Sequence, residues 1–255
     1  MLRNNQYPQY FLPEAIGGYC SITCCMGILN YFWWTSFNGQ NTWQMMNLFK
    51  EWQYSWEEML DLPEIGYKLD QLWFKITYYI SYDKESHLNY VDNPENVIFD
   101  WYPKKYHKFI KRWENWLYWD AWSAICSLVD TTFDKKIIES LTIDSEYNAN
   151  ITETIKNEQR DWVLFLVWLD YYSLHNEEPI EWLPWWHVVL VSKIENNKVV
   201  VFDPGPPLMQ SRDIPVEKFM ESVNDFWNHY AFMKITDKHG GDSSKSDDKT
   251  VHERE

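Results

Sequence analysis

His187-Val188-Val189-Leu190-Val191-Ser192-Lys193-Ile194-Glu195-Asn196-Asn197-Lys198-Val199-Val200-Val201-Phe202-Asp203-Pro204 is the stretch whose reading decides the fold. Two runs rich in β-branched residues flank a polar centre, which is the pattern of an antiparallel hairpin. Side chains alternate along a strand, so His187, Val189 and Val191 share one face of the first arm, and Val199, Val201 and Asp203 one face of the second. A loop running from Lys193 to Asn197, with Asn196 and Asn197 accepting left-handed backbone, pairs Val191 with Val199 and Val189 with Val201. His187 then faces Asp203, and a carboxylate orients an imidazole. A tight two-residue Asn196-Asn197 turn would instead bring His187 near Pro206. Loop length therefore decides this pairing, and the longer loop is the expectation.

A titratable ring held by a carboxylate gains meaning when a nucleophile is available, and the other end of the chain supplies one. Tyr19-Cys20-Ser21-Ile22-Thr23-Cys24-Cys25-Met26-Gly27-Ile28-Leu29-Asn30-Tyr31-Phe32 follows the pair Gly17-Gly18. Its apolar positions at Ile22, Cys25, Met26, Ile28, Leu29 and Phe32 predict a buried helix that begins near Cys20. A thiol at a helix N-terminus feels unpaired backbone N–H groups and the positive end of the helix dipole, both of which favour the thiolate. The same N–H groups can stabilise an oxyanion.

In these blocks the chain resembles the papain-like cysteine peptidases, most closely the stand-alone relatives of the double-glycine leader peptidases. The family pattern has a Cys-led helix, a strand that opens with His, and a following strand that ends in Asp-Pro. Cys20, Met26, Leu29 and Tyr31 match the helix, with Ser21 where glycine is usual and Cys24 where a small residue is usual. His187 and Asp203-Pro204 match the other two blocks. Arg212 to Phe219, followed by Tyr230 to Ile235, resembles the family's closing helix and strand. The resemblance covers roughly residues 9 to 50 and 160 to 236. It implies an α+β papain-like fold in which a helical half carrying Cys20 packs on an antiparallel sheet carrying His187 and Asp203. The catalytic set it implies is Cys20, His187 and Asp203. Where the family places a glutamine for the oxyanion this chain has Glu14, so Gln9 is the expected substitute, with Ser21 and Trp186 as further oxyanion or substrate contacts. Loss of an oxyanion donor costs roughly two to three orders of magnitude in rate.

Composition excludes several classes. The formal net charge is −15, from 38 acidic and 23 basic residues, which opposes any general attraction to a phosphate backbone. Nucleic acid is not an expected partner. Spanning a bilayer takes about eighteen or more consecutive apolar residues, and the run from Trp162 to Leu169 is long enough only for a buried strand. With no membrane span and no continuous apolar segment between Met1 and Pro13, a cytoplasmic location is expected. Cysteines at 20, 24, 25 and 126 do not form a disulfide framework, and Cys24, Cys25 and Cys126 read as small buried hydrophobes. A zinc site from Cys20, Cys24 and His187 lacks an obvious fourth ligand, so no metal and no cofactor are expected.

Seventeen Trp, seventeen Tyr and thirteen Phe against eight Gly describe a chain built from bulky side chains, most of which belong to the core or its boundary. Trp185 and Trp186, just before His187, are placed to wall a cleft. Between the matched blocks, residues 51–160 read as a mainly helical insertion beside that cleft, with helical spacing at Trp52 to Leu60, Leu69 to Tyr79 and Tyr106 to Leu128. His87, His107 and His175 match no partner and are expected at solvated positions. Residues 1–236 form one domain, and residues 237–255, which lack anchoring apolar groups, are an expected disordered tail.

The chemistry implied is a thiol hydrolase acting on a peptide or a small amide or thioester. An acyltransferase resembling the butirosin-biosynthesis type would use the same residues on an amine acceptor. A silent binding protein would keep the fold alone. Oligomeric state is not encoded in any of these signals.

Overall fold

A computed structural model describes residues 20–33, 35–50, 62–81, 83–85, 144–177, 186–205, 208–226 and 231–238. They form a mixed α+β structure around one seven-stranded sheet. In chain order the elements are α1 (Cys20–Trp33), a 3-10 turn (Gly39–Asn41), α2 (Thr42–Lys50), α3 (Leu62–Gln71), β1 (Phe74–Ile80), β2 (Asp144–Glu146) and α4 (Ile151–Glu158). Then follow β3 (Val163–Asp170), α5 (Tyr171–His175), β4 (Trp186–Glu195), β5 (Lys198–Asp203), β6 (Met209–Pro215), α6 (Val216–Phe226) and β7 (Ala231–Asp237). The strand order is β2-β1-β7-β3-β4-β5-β6. Among the described residues, only the β1–β2 pair is parallel.

Strand β3, Val-Leu-Phe-Leu-Val-Trp-Leu-Asp, is buried at every position, as a central strand covered on both faces must be. Its alternate residues enter two different cores. Leu164, Leu166 and Trp168 join Val188, Leu190 and Phe202 under α1, α2 and α3. Val163, Phe165, Val167 and Leu169 join Val189, Val191, Val199 and Val201 under α4, α5 and α6. Helix α1 is buried from Cys20 to Phe32, which accounts for a sequence that is apolar nearly all round. It lies across the sheet. The Cys24 thiol donates to the Val188 carbonyl of β4 at 3.4 Å, while at the far end Trp33 stacks on Phe74 of β1 with ring centroids 5.2 Å apart. Ile28, with no exposed surface, fixes that crossing, and trimming such a side chain to alanine costs about 2–5 kcal/mol.

Three expectations need correcting. Helical spacing does not persist from Leu69 to Tyr79: α3 stops at Gln71, Trp73 turns to φ 70°, and Phe74–Ile80 is a strand. The β-branched and aromatic composition of Phe-Lys-Ile-Thr-Tyr-Tyr-Ile wins over the apolar spacing. Within 51–160 the described residues thus contribute α3, β1, β2 and α4, and β1 lies inside the common sheet. The helices expected at Trp52 to Leu60 and Tyr106 to Leu128 lie outside the described residues, as does the tail beyond 238.

The hairpin is the second correction. Its turn is the two-residue Asn196-Asn197, both left-handed at φ 50° and 58°, and Glu195 pairs directly with Lys198. Continued without interruption, that register would set Asp203 opposite Leu190, on the α1 face and away from His187. A β-bulge intervenes. Lys193 pairs with Val200 and Val191 with Val201, leaving Ser192 as the extra residue. One inserted residue reverses the face on which everything beyond it projects. Asp203 therefore returns to the face of Val189 and His187, as a diagonal neighbour of the ring and not its direct opposite.

The third correction concerns His175, which sits at the end of α5 with a side chain only 6 % exposed. It occupies no solvated position.

Candidate active site

The site forms at the edge where β3 ends and β4 begins. Leu169 pairs with His187 and Asp170 with Trp186 across these strands. Asp170 then caps the short α5, its carboxylate accepting from the Ser173 N–H at 2.7 Å, and Asn176 ends that helix in the left-handed region. This capped turn carries Tyr171 and His175 back over the first residues of β4.

His187 Nε2 and Asp203 Oδ1 lie 2.7 Å apart in a buried hydrogen bond, and the Gly205 N–H donates to the same oxygen at 2.9 Å. Both side chains are sealed from solvent, at 4 % and 0 % exposure. The Cys20 thiol, in the first turn of α1, lies close enough to the His187 ring to act on its charge. With Nε2 committed to Asp203, Nδ1 is the nitrogen left to exchange a proton with sulfur. The three residues singled out from the sequence are brought together.

Electrostatics follow from burial and partners. Burial by itself pushes the His187 imidazole down, but the Asp203 carboxylate, and after it Cys20, carries it up to about 9. Burial would raise the Asp203 carboxyl, whereas His175, His187 and the Gly205 amide hold it well below the usual carboxylate range. The pair is an imidazolium beside a carboxylate at neutral pH. Burial, reinforced by the neighbouring thiols of Cys20 and Cys25 and by Asp203, pushes the Cys24 thiol up, and burial alone does the same to Cys25. Those two cysteines stay protonated and serve as core side chains.

The residue that sequence reasoning missed is His175. Its Nε2 lies 3.0 Å from Asp203 Oδ2, the oxygen that His187 does not use. The approach is off the ring's donor axis, a charge contact more than a linear hydrogen bond, and neither atom has a hydrogen-bond partner among the described residues. His175 also stacks on Tyr171 with centroids 4.3 Å apart, and Tyr171 meets the His187 ring edge-on at 5.4 Å. No spacing rule pointed to it. The Asp170-to-Asn176 cap pair could have, since it marks a one-turn helix returning the chain to the strand ends.

His175, His187 and Asp203 each present a ligand atom, all within 4.8 Å of one another. Two imidazoles on one tetrahedral zinc would bring their centroids to about 5 Å. Here they stand 6.3 Å apart with the carboxylate between them, a geometry that suits a shared anion better than a preformed metal site. The Cys24 thiol is engaged by the Val188 carbonyl, and the grouped ligand atoms do not include it.

Of the weaker candidates, Ser21 is buried in the first turn of α1. Trp186 begins β4, paired with Asp170. Gln9, Glu14 and Trp185 lie outside the described residues, as do Cys126, His87 and His107. Among the described residues no helix is long and apolar enough to cross a membrane. No protein-family model matches the chain, and no curated protein shows significant similarity to it.

Proposed function

We propose that the chain is a papain-like thiol hydrolase that cleaves a peptide or related amide through a covalent acyl-enzyme. The observation that carries this reading is the meeting of Cys20, His187 and Asp203 at one end of the sheet, with the thiol beside the ring and the ring hydrogen-bonded to the carboxylate.

In the proposed reaction His187 already holds the proton that Cys20 has given up, so that a thiolate stands beside the imidazolium before substrate arrives. Sulfur attacks the carbonyl carbon, and the Cys20 backbone N–H, in the first turn of α1, faces the developing oxyanion. His187 returns its proton to the departing amine, and a thioester remains on Cys20. Water, deprotonated by the same ring, releases the acid. Asp203 keeps the ring in the tautomer and orientation that both transfers need. An acceptor amine taking the place of water would make the protein a transferase.

The test is competitive alkylation by iodoacetamide, read at each cysteine by peptide mass spectrometry. Wild-type Cys20 should react far faster than an ordinary thiol at pH 6 to 7, and His187→Ala should lower that rate by about 10²-fold or more. Cys24 and Cys25 should remain unmodified. Equal Cys20 rates in both proteins would refute the reading. Incubation with a peptide library, with and without added amines, then separates hydrolysis from transfer, and Cys20→Ala should fold normally yet show neither.

A further inference from the structure

Four side chains close a ring of contacts around the proposed base. Asp203 holds His187 at 2.7 Å, His175 holds Asp203 at 3.0 Å, His175 stacks on Tyr171 at 4.3 Å, and Tyr171 meets His187 edge-on at 5.4 Å. His175 is the member that touches both supports of His187, and its own ring stands 6.3 Å from the His187 ring.

We propose that His175 is a positioning residue, which clamps the second oxygen of Asp203 and so keeps the first in line with the His187 ring. The role rests on the Cys20–His187–Asp203 chemistry proposed above. A carboxylate pinned through Oδ1 alone can still pivot about its Cβ–Cγ bond, because that torsion is soft. The Gly205 N–H also falls on Oδ1, so among the described residues only His175 restrains Oδ2. The contact dictates the His175 tautomer. A bare nitrogen lone pair 3.0 Å from a carboxylate oxygen would be repelled, so Nε2 carries a proton and turns its positive edge toward Oδ2, a charge contact without a linear hydrogen bond.

Burial makes this clamp consequential. Asp203 is fully enclosed, and an unsatisfied buried carboxylate oxygen is costly. Without His175 the carboxylate would turn toward whatever donor or water it could reach, and the His187 ring would lose its alignment with Cys20. Misplacements of about 1 Å at a reacting group cost up to roughly 10²-fold in rate. The titratable groups around the carboxylate are His187 from β4, His175 and Tyr171 from α5, and Cys20 and Cys24 from α1.

Two substitutions separate the clamp from mere packing. His175→Phe keeps an aromatic ring on Tyr171 but offers Oδ2 no donor, whereas His175→Gln gives up the ring and keeps an N–H within reach. Cys20 alkylation should be measured for both across pH 5 to 10, alongside wild type and His187→Ala, with thermal unfolding recorded for each. The expected result is a drop of about tenfold at pH 7 for the Phe variant, with its alkaline limb moved to lower pH. The Gln variant should stay within about threefold of wild type and keep the limb in place. The reverse order, or two profiles that overlay wild type while His187→Ala remains slow, would overturn the role of His175 and leave the thiol reading standing. Wild type no faster than His187→Ala would instead bring down both. A tenfold loss seen in the Phe variant without any shift of the limb would mark a structural role and reject the clamp.

Discussion

Two of the ion pairs around this sheet teach opposite lessons. Lys234 of β7 meets Glu158 of α4 at 3.0 Å with 15 % and 43 % of the two side chains exposed. His187 meets Asp203 at 2.7 Å with 4 % and 0 % exposed. Water screens the first pair, which contributes little whether made or broken. The second has surrendered its hydration, so its stability depends on every partner remaining in place. A fold seldom keeps a buried charge pair for stability alone, because well-packed apolar groups would serve as well. Its presence beside a thiol is what supports the proposal of a reaction centre at the end of β4.

The sharpest way to break this contrast is Asp203→Asn, which keeps the shape and removes the charge. Chemical denaturation at pH 6 should show a loss of about 3 kcal/mol or more. A loss below about 1 kcal/mol would place the buried pair in the same class as the exposed one.

Next in size is the pH dependence. The folded His187 value of about 9 lies above its ordinary 6.5, so below pH 6.5 both folded and unfolded chains hold the proton and the stabilisation is complete. Between 6.5 and about 9 the folded chain alone retains it, and above that range the contribution is gone. The stability of wild type relative to His187→Gln should therefore fall by up to about 3 kcal/mol across that window. Constancy of that difference would show the ring to be uncharged when folded. Acid acts through Asp203 in the opposite sense, since its carboxyl is held low and its contribution disappears only as pH drops below the usual carboxylate range.

The smallest effect belongs to Lys234→Met, which preserves the apolar stem. It should change stability by less than about 1 kcal/mol, and raising salt should erase the difference. Salt should leave the His187→Gln difference nearly untouched. A Lys234 effect as large as that of Asp203 would mean that exposure does not govern these pairs.

Much of this was legible because it is written in local pattern. The apolar run of α1, the continuous apolar string of β3 and the two Val-rich arms of the hairpin all carry a period or a composition that one element satisfies, whereas the closing segment expected from Arg212 by resemblance divides into the end of β6 and α6, which begins at Val216. The identities of Cys20, His187 and Asp203 emerged from residue type at element ends. Their pairing was reached by an incorrect register: a five-residue loop was expected, and a two-residue turn plus the Ser192 bulge restored the shared face. Nothing in Val191-Ser192-Lys193 announces a bulge, because it results from competition between turn and core. His175 escaped for a related reason. Its partner Asp203 lies across two strands, and contacts between distant segments leave no spacing to read. The Leu69 to Tyr79 stretch shows the reverse failure, in which an apolar spacing compatible with a helix sits on residues that prefer extended backbone.

The bulge at Ser192 makes the hairpin arm asymmetric toward changes in length. Removing one residue between Val191 and Lys193 would let Val191 keep Val201 and Lys193 keep Val200 in an unbroken ladder, with acid and imidazole still neighbours. Adding one there leaves the arm no such slack: it must bulge twice or send the acid to the far side of the sheet. The arm can thus be trimmed by one step but not stretched by one.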